Sequence, residues 1–346
     1  MKDALAPAVV TGACGFMGRH LVSALLREGR QVFALARHPD ELSDLRDPLL
    51  RVIGCPRLDP GLVAGHVPRG ASLFHLASVR SGTTRSNRKM TEINELATVA
   101  LARAAARLPI GRFVYVSTAL VFGASHGEKR TETDQVVEAA ATNSYLRTKV
   151  RAHLALRQLA RDGLPLVTVC PAIVFGPDHP THPNRLTSYM RRLTRWPVAP
   201  WVAGGGHQRT LAYIDDVVAG ILRAEYLGSL GGEYILGGDD LSPKEFFAHV
   251  CAATGRRRLG LGIPWPLASG LARIGDLIRA HGADTGYLAA LKTLAPEWRY
   301  SSRKAEIELG YTWTAAPLAI GQTVAAVLSN VPPAQAIAQA NNAGQR

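Results

Sequence analysis

Hydrophobic residues in the first half of the chain form short apolar runs, separated by longer stretches in which apolar residues recur at helical spacing. The runs predict six strands, at residues 8–11, 32–35, 51–53, 72–76, 113–117 and 166–170. The stretches between them predict helices at residues 17–27, 92–107 and 145–161. Strands that alternate with helices indicate βαβ units with right-handed crossovers, so we expect an α/β protein with a doubly wound parallel sheet.

The pattern changes after Gly176. Pro, Arg, Trp and His become frequent and the alternation of strands and helices is lost, until LAYIDDVVAGILRAEY predicts another helix. A further helix begins at LSPKEFF, with Ser242 as N-cap, Pro243 at the first helical position and Glu245 at the third. We therefore predict a sheet domain of residues 1–176, to which residues 211–238 return. A smaller C-terminal substrate-binding region would comprise residues 177–210 and 239–328, followed by a polar, flexible tail at residues 329–346.

Composition indicates an ordinary globular protein, because 47% of the 346 residues are hydrophobic and 19% are charged. No apolar run is long enough to span a membrane, and the N-terminus leads directly into a glycine motif, so we expect neither a membrane span nor a signal peptide. The four cysteines are scattered without metal-ligand spacing, which favours reduced core residues in a cytoplasmic protein.

The formal net charge of +13 comes from arginines spread along the chain. Its tight clusters, Arg191-Arg192 and residues 256–258, are short and lack interleaved aromatic residues. We therefore expect no nucleic-acid partner. His179, His182 and His207 lie in loops without a carboxylate or cysteine at ligand spacing, so we expect no metal site.

The sequence TGACGFMG places Gly12, Gly15 and Gly18 between the first predicted strand and helix. Glycine permits the tight turn and lets a pyrophosphate approach backbone N–H groups, those of Phe16 and Met17 among them, at the positive end of the helix dipole. The glycine spacing alone is a weak signal, but its position between strand and helix predicts a dinucleotide site.

Arg37 follows the second strand, where many NAD-binding proteins have an acidic residue that holds the adenosine ribose. Ala36 removes the repulsion that a carboxylate would exert on a 2′-phosphate, and the guanidinium of Arg37 can bind that phosphate through two hydrogen bonds. A charge-assisted hydrogen bond is worth about 1.5–3 kcal/mol, or one to two orders of magnitude in affinity. We therefore predict NADP(H) as the cofactor in preference to NAD(H).

In NSYLRTK, Tyr145 and Lys149 are four residues apart and share one face of a predicted helix. A tyrosine phenol is a weak acid, and a nearby ammonium stabilises its phenolate. Tyr145 could then exchange a proton with a carbonyl or alcohol oxygen while hydride moves. Thr118 or its neighbour Ser117 would add a hydroxyl at the carboxyl end of the preceding strand.

These residues together resemble the extended branch of the short-chain dehydrogenase/reductase family, on its dihydroflavonol reductase and 3β-hydroxysteroid dehydrogenase side. The matching segments, which reach to about residue 325, are TGACGFMG, FHLAS, INELATVALARAA, FVYVSTALVFG, YLRTK, CPAIVFGP, RTLAYIDDV and WRYSSRKAEIELGY. The resemblance implies a Rossmann-type sheet, a small-molecule substrate and a possible homodimer.

Carried over by position, the resemblance implies a catalytic set of Thr118, Tyr145, Lys149 and Asn94, the last at a proton-relay or helix-kink position. It implies a cofactor site that includes Ala77, Ser78, Ser117, Pro171, Ile173 and Val174. Two departures matter: Cys55 stands where the family often has an Asp near adenine, and Ala119-Leu120 follow Thr118 where dehydratases have Asp-Glu. Sugar-nucleotide dehydration is therefore not expected.

Three functions follow. The first is an NADP(H)-dependent oxidoreductase that interconverts a ketone or aldehyde and an alcohol on a fairly apolar molecule. Apolar residues that could line its pocket or belong to the core are Trp196, Trp201, Ile263, Trp265 and Leu267. The second is a nucleotide-sugar epimerase or reductase with Arg209 near a diphosphate. The third is a non-catalytic NADP(H)-binding sensor or scaffold.

Overall fold

The computed structural model describes residues 5–80, 84–136, 144–195, 198–203, 207–255, 259–264, 267, 270 and 297–329. Its strands are β1 (Ala8–Thr11), β2 (Val32–Ala36), β3 (Leu50–Gly54), β4 (Ser72–His75), β5 (Arg112–Val116), β6 (Leu166–Pro171), β7 (Ile173–Phe175), β8 (Val198–Ala203), β9 (Arg209–Tyr213), β10 (Glu233–Leu236), β11 (Asp240–Leu241) and β12 (Leu259–Pro264). Seven of these form a parallel sheet in the order β3-β2-β1-β4-β5-β6-β10. The predicted doubly wound parallel sheet is confirmed, and all six predicted strands are present within one or two residues.

The helices of the described residues are α1 (Phe16–Arg27), α2 (Pro60–Ala64), α3 (Thr84–Met90), α4 (Thr98–Ala105), α5 (Ser144–Arg161), α6 (Arg185–Arg195), α7 (Ile214–Leu227), α8 (Pro243–Thr254), α9 (Arg303–Leu309) and α10 (Ala316–Ser329). Short 3-10 turns span Pro39–Leu42 and Ala119–Phe122, and a π-helical segment spans Thr91–Ala97. The predicted helices at residues 17–27 and 145–161 are confirmed. The helix predicted at residues 92–107 is instead a longer helical run from Thr84 to Ala105 with the π-helical segment in its middle.

The main sheet is buried on both faces, as parallel sheets usually are. On one face Val10 of β1 packs in a cluster with Leu21 of α1 and Ile221 of α7. On the other face Val9 packs with Leu101 of α4 and Leu156 of α5. The alternation of side chains along β1 therefore places helices on both sides of the sheet.

The C-terminal region returns to the main sheet through α7 and β10, which pairs with β6. The segment predicted to return begins in β9, which instead pairs with β7 and β11 in a separate three-stranded sheet. The capping box at Ser242 and Glu245, with Pro243 in the first turn, is confirmed. The tail from residue 330 lies outside the described residues.

The prediction that the alternation of strands and helices is lost after Gly176 is wrong at one place, because residues Arg185–Arg195 form the helix α6. Leu186, Met190 and Leu193 recur at helical spacing, and the last two are at most 1% exposed. The frequent prolines and arginines around this segment obscure a pattern that the three apolar residues carry. In the part of the chain that the structure describes, no helix has both the length and the apolarity needed to cross a membrane.

Candidate active site

The parallel register brings the carboxyl ends of neighbouring strands to one edge of the sheet. Thr11 of β1 pairs with Leu35 of β2 and with His75 of β4. The segments that begin at Gly12, Arg37 and Leu76 therefore leave the sheet side by side. Ligands of open α/β sheets bind at this edge, so the predicted site residues that follow these strands meet at a suitable place.

The glycine turn is shaped by close contact with the segment after β4. Gly12 has a φ of +73°, and a Cβ on it would lie 2.7 Å from the Ala77 nitrogen. A Cβ on Gly18 would lie 2.1 Å from the Gly12 oxygen. Gly15 precedes α1 without a side-chain cap, and no side chain among the described residues accepts from the N–H groups of Phe16 and its neighbours. This turn fits a pyrophosphate.

Arg37 comes directly after β2 and is exposed. It makes no ion pair with any residue that the structure describes. The Cys55 nitrogen donates to the Ala36 oxygen at 2.7 Å, and the Cys14 thiol lies 3.7 Å from the His38 oxygen. The start of the glycine turn and the end of β3 thus flank Arg37, which is where the adenosine end of a dinucleotide would lie.

A chain of buried hydrogen bonds runs beneath the site. The Ala77 nitrogen donates to Thr11 Oγ1 at 3.4 Å, and Thr11 Oγ1 lies 2.7 Å from His75 Nδ1. His75 Nε2 lies 2.9 Å from Thr98 Oγ1, which donates to the Ile93 oxygen at 3.2 Å. Since the Thr98 hydroxyl proton is already used, His75 must donate from Nε2 and accept at Nδ1 from Thr11.

Burial lowers the pKa of His75 to about 3, and the positive charge of Lys149 acts in the same direction. The ring is therefore neutral at ordinary pH, as the hydrogen-bond directions require. This histidine is part of the segment FHLAS, but sequence reasoning assigned it no role. A histidine inside an apolar strand was the available signal.

Asn94 lies in the π-helical segment and is 1% exposed. Its amide nitrogen donates to the Val79 oxygen at 2.9 Å and to Thr148 Oγ1 at 3.3 Å. Its amide oxygen accepts from the Val79 nitrogen at 2.8 Å and from Ser78 Oγ at 3.3 Å. Asn94 thus joins the segment after β4 to α5, next to Lys149. The widened π turn accompanies these bonds, and such turns are frequent at functional sites.

Tyr145 and Lys149 lie one turn apart at the start of α5. Lys149 is 3% exposed; its ammonium donates to the Val116 oxygen at 3.0 Å and lies 5.1 Å from the centre of the Tyr115 ring. Val116 ends β5, so Lys149 is held at the strand end from which Thr118 follows. Tyr145 is half-buried on the same face of the helix.

Ser117 and Thr118 have different surroundings. Ser117 Oγ lies 3.0 Å from His153 Nδ1, and His153 Nε2 lies 3.1 Å from Glu233 Oε1. Arg157 donates to Glu233 Oε2 at 2.6 Å. Burial alone would raise the pKa of Glu233, but the hydrogen bonds from Arg157 and His153 lower it to about 2. The hydroxyl of Ser117 is therefore held in a charged network between α5 and β10.

Thr118 is the N-cap of the 3-10 turn at Ala119–Phe122 and accepts a long hydrogen bond from the Leu120 nitrogen, at 3.4 Å. Its hydroxyl proton has no acceptor among the described residues. Of the two hydroxyls that the sequence left open, that of Thr118 is the one available to a substrate oxygen.

At the other side of the edge, Pro171 ends β6, and Ile173 and Val174 are half-buried in β7. Asn184 donates to the Val174 oxygen at 3.0 Å. The same side chain accepts from the backbone of the first turn of α6. The start of α6, where Arg185 lies, is thereby tied to the strand that we expect to line the nicotinamide.

Arg80, to which sequence reasoning assigned no specific role, lies over the ring of Tyr145, and Arg185 is exposed at the start of α6. The Arg80 guanidinium carbon is 4.8 Å from the centre of the Tyr145 ring. Partial burial lowers the pKa of Arg185, the positive charge of Arg80 lowers it further, and Tyr145 acts in the opposite direction. No carboxylate of the described residues pairs with either arginine. The available signal was the stretch of residues 78–91, which has four basic residues and no acidic one.

The arginine, histidine and cysteine candidates of the sequence analysis have other surroundings. Arg209 is 9% exposed in β9, and burial lowers its pKa to about 10. His182 Nε2 lies 2.8 Å from Glu41 Oε2. Within the described residues no three His, Cys, Asp or Glu side chains form a group that could hold a metal. The four cysteines form no disulfide among the described residues; Cys14, Cys55 and Cys170 are buried as predicted, whereas Cys251 is half-buried.

Of the apolar residues proposed for a pocket, Leu267 is 59% exposed and Ile263 is half-buried. Trp196, Trp265 and the side chain of Trp201 lie outside the described residues.

Comparison with known proteins agrees with the fold and the motifs described above. The profile of the NAD dependent epimerase/dehydratase family matches residues 8–235, which include the glycine turn, Thr118, Tyr145 and Lys149. A putative dihydroflavonol 4-reductase from Synechocystis is 28% identical over 331 residues, which cover 91% of this chain and 92% of that protein.

Two further relatives match over most of their length. The 4-hydroxy-2-methyl-3-oxo-4-farnesyl-3,4-dihydroquinoline-1-oxide ketoreductase of Stigmatella aurantiaca is 26% identical, over 87% of this chain and 90% of the relative. The 2-alkyl-3-oxoalkanoate reductase of Stenotrophomonas maltophilia is 27% identical, over 88% of this chain and 93% of the relative.

The crystal structure of gox2253 superposes with a TM-score of 0.78 at 23% identity, over 94% of this chain and 98% of that one. At this identity the likeness concerns the fold alone. The resemblance drawn from the motifs, including its dihydroflavonol reductase and 3β-hydroxysteroid dehydrogenase side, is confirmed by the family and the relatives that match. With its glycine turn and its Tyr145–Lys149 helix at one sheet edge, the chain belongs to the NAD dependent epimerase/dehydratase family, an extended short-chain dehydrogenase/reductase enzyme.

Proposed function

We propose that the protein is an NADP(H)-dependent oxidoreductase that interconverts a ketone or aldehyde and the corresponding alcohol on a fairly apolar small molecule. The observation that carries the proposal is the position of Lys149, whose ammonium is held by the Val116 oxygen at 3.0 Å on the helix face that bears Tyr145. A fixed positive charge beside a tyrosine serves proton transfer, and a binding protein has no need of it.

The cofactor, when bound, would supply the hydride to a carbonyl carbon or accept it from an alcohol carbon. Tyr145 gives its hydroxyl proton to the carbonyl oxygen, or takes the alcohol proton in the reverse direction. Lys149 stabilises the tyrosinate that remains. Thr118 donates its unused hydroxyl proton to the substrate oxygen and so holds it near Tyr145. Asn94 keeps the segment after β4 against α5.

Arg37 supports NADP(H) as the form of the cofactor. It follows β2 beside the glycine turn, is exposed, and has no acidic partner among the described residues. Its guanidinium is therefore available for a phosphate on the adenosine ribose.

The relatives support carbonyl reduction, since two of the three named above are a ketoreductase and an oxoalkanoate reductase. A nucleotide-sugar epimerase is the second candidate. Arg209, which would hold its diphosphate, is 9% exposed, so little of its side chain is accessible to a ligand. The carbonyl reductase is therefore preferred.

The test is Tyr145→Phe, with NADPH and NADH titrations on the nucleotide-free protein and turnover followed by NADPH absorbance over a panel of apolar ketones. We expect turnover to fall about 10²–10⁴-fold while NADPH still binds. Tyr226→Phe, on the exposed side of α7, is the matched control. Unchanged turnover in Tyr145→Phe would contradict the mechanism. Selective NADPH binding without turnover would favour the sensor, and stoichiometric retained NAD the epimerase.

A further inference from the structure

Lys149 carries a buried positive charge for which the described residues provide no counterion. The residue is 3% exposed, and its ammonium donates to the Val116 oxygen at 3.0 Å. No carboxylate among the described residues forms an ion pair with it. A buried ammonium without a counterion is costly, so other groups must stabilise this charge.

Besides the Val116 oxygen, the ring of Tyr115 lies against the ammonium. The Lys149 nitrogen is placed over this ring, 5.1 Å from its centre, and Tyr115 is 1% exposed. The negative face of an aromatic ring attracts a cation, most strongly where water is excluded. The Tyr115 hydroxyl makes no hydrogen bond of ordinary geometry to any described residue, so we assign the effect to the ring.

The titratable groups behind the Tyr115 ring are uncharged. The His75 ring stacks on it, with the ring centres 5.9 Å apart and the planes inclined by 17°. Burial, together with the charge of Lys149, lowers the pKa of His75 to about 3, and burial raises the pKa of the Cys170 thiol well above its usual value. Both groups are therefore neutral at ordinary pH, and neither opposes nor neutralises the charge of Lys149.

A ring serves better than a carboxylate at this place. Lys149 acts on Tyr145, one turn earlier on α5, through its positive charge. A carboxylate beside the ammonium would hold it but would cancel most of the field that Tyr145 experiences. A ring attracts the ammonium without a net charge of its own, so the field at Tyr145 is preserved.

We infer that Tyr115 is a positioning residue, whose ring keeps the Lys149 ammonium charged and in place for Tyr145. The inference rests on the proposed function for the reaction that Tyr145 serves. Tyr115 is too deeply buried to contact a substrate and acts through Lys149 alone. Sequence analysis gave it no role, because in FVYVSTALVFG it occupies one of the apolar positions of a strand.

The first measurement follows the formation of tyrosinate at Tyr145 as pH rises, in the full-length protein without substrate. Tyrosinate absorbs in the near ultraviolet, and subtracting the titration of the same protein with Tyr145→Phe isolates this residue. In Tyr115→Met the midpoint should move to higher pH by about one unit, because an ammonium that the ring no longer holds stabilises the tyrosinate less. Tyr115→Phe retains the ring and should retain the wild-type midpoint. Arg80, which also lies at the Tyr145 ring, is exposed and is unchanged in every variant.

Phe113→Met is the matched control. Phe113 lies two residues earlier on the same face of β5, is fully buried in the same cluster and also contacts His75, with the ring centres 6.1 Å apart. Its substitution should destabilise the protein to a similar extent but leave the midpoint unchanged, because Lys149 does not lie over its ring. Urea unfolding of each variant shows that the compared proteins are folded.

A graded series changes the ring with little change in packing. Phenylalanines with increasing numbers of fluorine atoms, introduced at position 115, nearly keep the shape of the ring and withdraw electrons from its face. The midpoint of tyrosinate formation should rise stepwise with the number of fluorine atoms. This series decides the matter even if Tyr115→Met does not fold.

Turnover separates the inference from the proposed function. The enzyme oxidises, with NADP⁺, the alcohol that corresponds to the ketone of the panel that is reduced fastest; hydride passes from the alcohol carbon to NADP⁺ and the hydroxyl proton to Tyr145. The pH midpoint of kcat/KM should shift in Tyr115→Met as the tyrosinate midpoint does.

If the tyrosinate midpoint shifts in this way but no alcohol is oxidised, the positioning role stands and the proposed function fails. If alcohols are oxidised but the fluorinated series leaves the midpoint unchanged, the inference is overturned and the oxidoreductase stands. An equal shift in Phe113→Met or in Tyr115→Phe would also overturn it, because neither variant removes the ring beneath Lys149.

Discussion

At the residue scale, the proposed choice of NADP(H) rests on one side chain at a strand end, that of Arg37. It projects from the end of β2, where the preceding Ala36 is 2% exposed and carries no charge to repel a phosphate. The Cys55 backbone bonds to Ala36, so the third strand presents no carboxylate at this point either. The proposed preference for NADP(H) therefore depends on a single guanidinium.

We expect Arg37→Gln to weaken NADPH binding by about one to two orders of magnitude, because a charge-assisted phosphate contact is lost. NADH affinity should change little. The measurement is a fluorescence titration with both nucleotides, and Arg46→Gln, another exposed arginine, is the control. An equal loss for both nucleotides would show that Arg37 does not recognise the phosphate.

His75 makes the stability of the protein depend on pH. Burial, together with Lys149, lowers its pKa from 6.5 to about 3. Between these values the unfolded chain binds a proton that the folded chain does not, so stability falls as pH falls from 6.5 toward 3. The loss is up to about 1.4 kcal/mol for each pH unit.

His75→Leu should therefore lower the melting temperature at pH 7, where Thr11 and Thr98 lose their partner, and reduce the further decrease between pH 6.5 and 4. Melting curves across this range test it, with the exposed His126→Gln as control. The same pH slope in wild type and His75→Leu would show that another group carries the effect.

At the scale of elements, the turn between β1 and α1 brings the helix start and the segment after β4 together. Gly12 and Gly29 both have positive φ, of 73° and 75°. A Cβ on Gly12 would meet the Ala77 backbone at 2.7 Å, whereas one on Gly29 would have nothing within 4 Å. A comparison of Gly12 with Gly29 therefore separates the effect of a positive φ from the effect of close packing around the glycine.

Gly29→Ala should cost about 1–2 kcal/mol of the free energy of unfolding, from the left-handed backbone alone. Gly12→Ala should cost more and should abolish NADPH binding, since the turn and the segment after β4 must separate. Urea unfolding and an NADPH titration measure both effects. Equal losses, with NADPH binding retained in Gly12→Ala, would contradict this account of the turn.

Two helical segments show which features a local sequence pattern can predict and which it cannot. The Tyr145–Lys149 spacing follows from five residues of sequence, and the helix that carries it follows from the pattern of residues 145–161. The π-helical segment does not, because its cause is the set of bonds that Asn94 makes to Val79 and Thr148. Those partners lie on other elements, so no periodicity within residues 92–107 reports them.

At the scale of the whole molecule, a buried ion pair joins the first half of the chain to α7. Arg30, 1% exposed, makes bonds of 2.6 and 2.7 Å to the two oxygens of Glu225, which is 4% exposed. A buried charge left alone is costly, whereas removing both charges costs far less.

We expect Arg30→Met to lower the free energy of unfolding by about 3–5 kcal/mol, because Glu225 would then be buried without a partner. The double variant Arg30→Met with Glu225→Leu should recover much of that loss. Urea unfolding of the two single variants and the double variant measures the coupling. Strictly additive losses would show that the pair is not coupled.

The sequence by itself determined the first six strands, the helices that carry the glycine turn and the Tyr145–Lys149 pair, and the family, because each depends on residues close together in the chain. The tertiary structure distinguished the two hydroxyls, since Ser117 is bound through His153 to Glu233, whereas the Thr118 hydroxyl finds no acceptor among the described residues. It also decided that β9 pairs outside the main sheet and that Arg80 lies at Tyr145. These relations join residues far apart in the chain, and only the packing of helices on the sheet sets the distances between them.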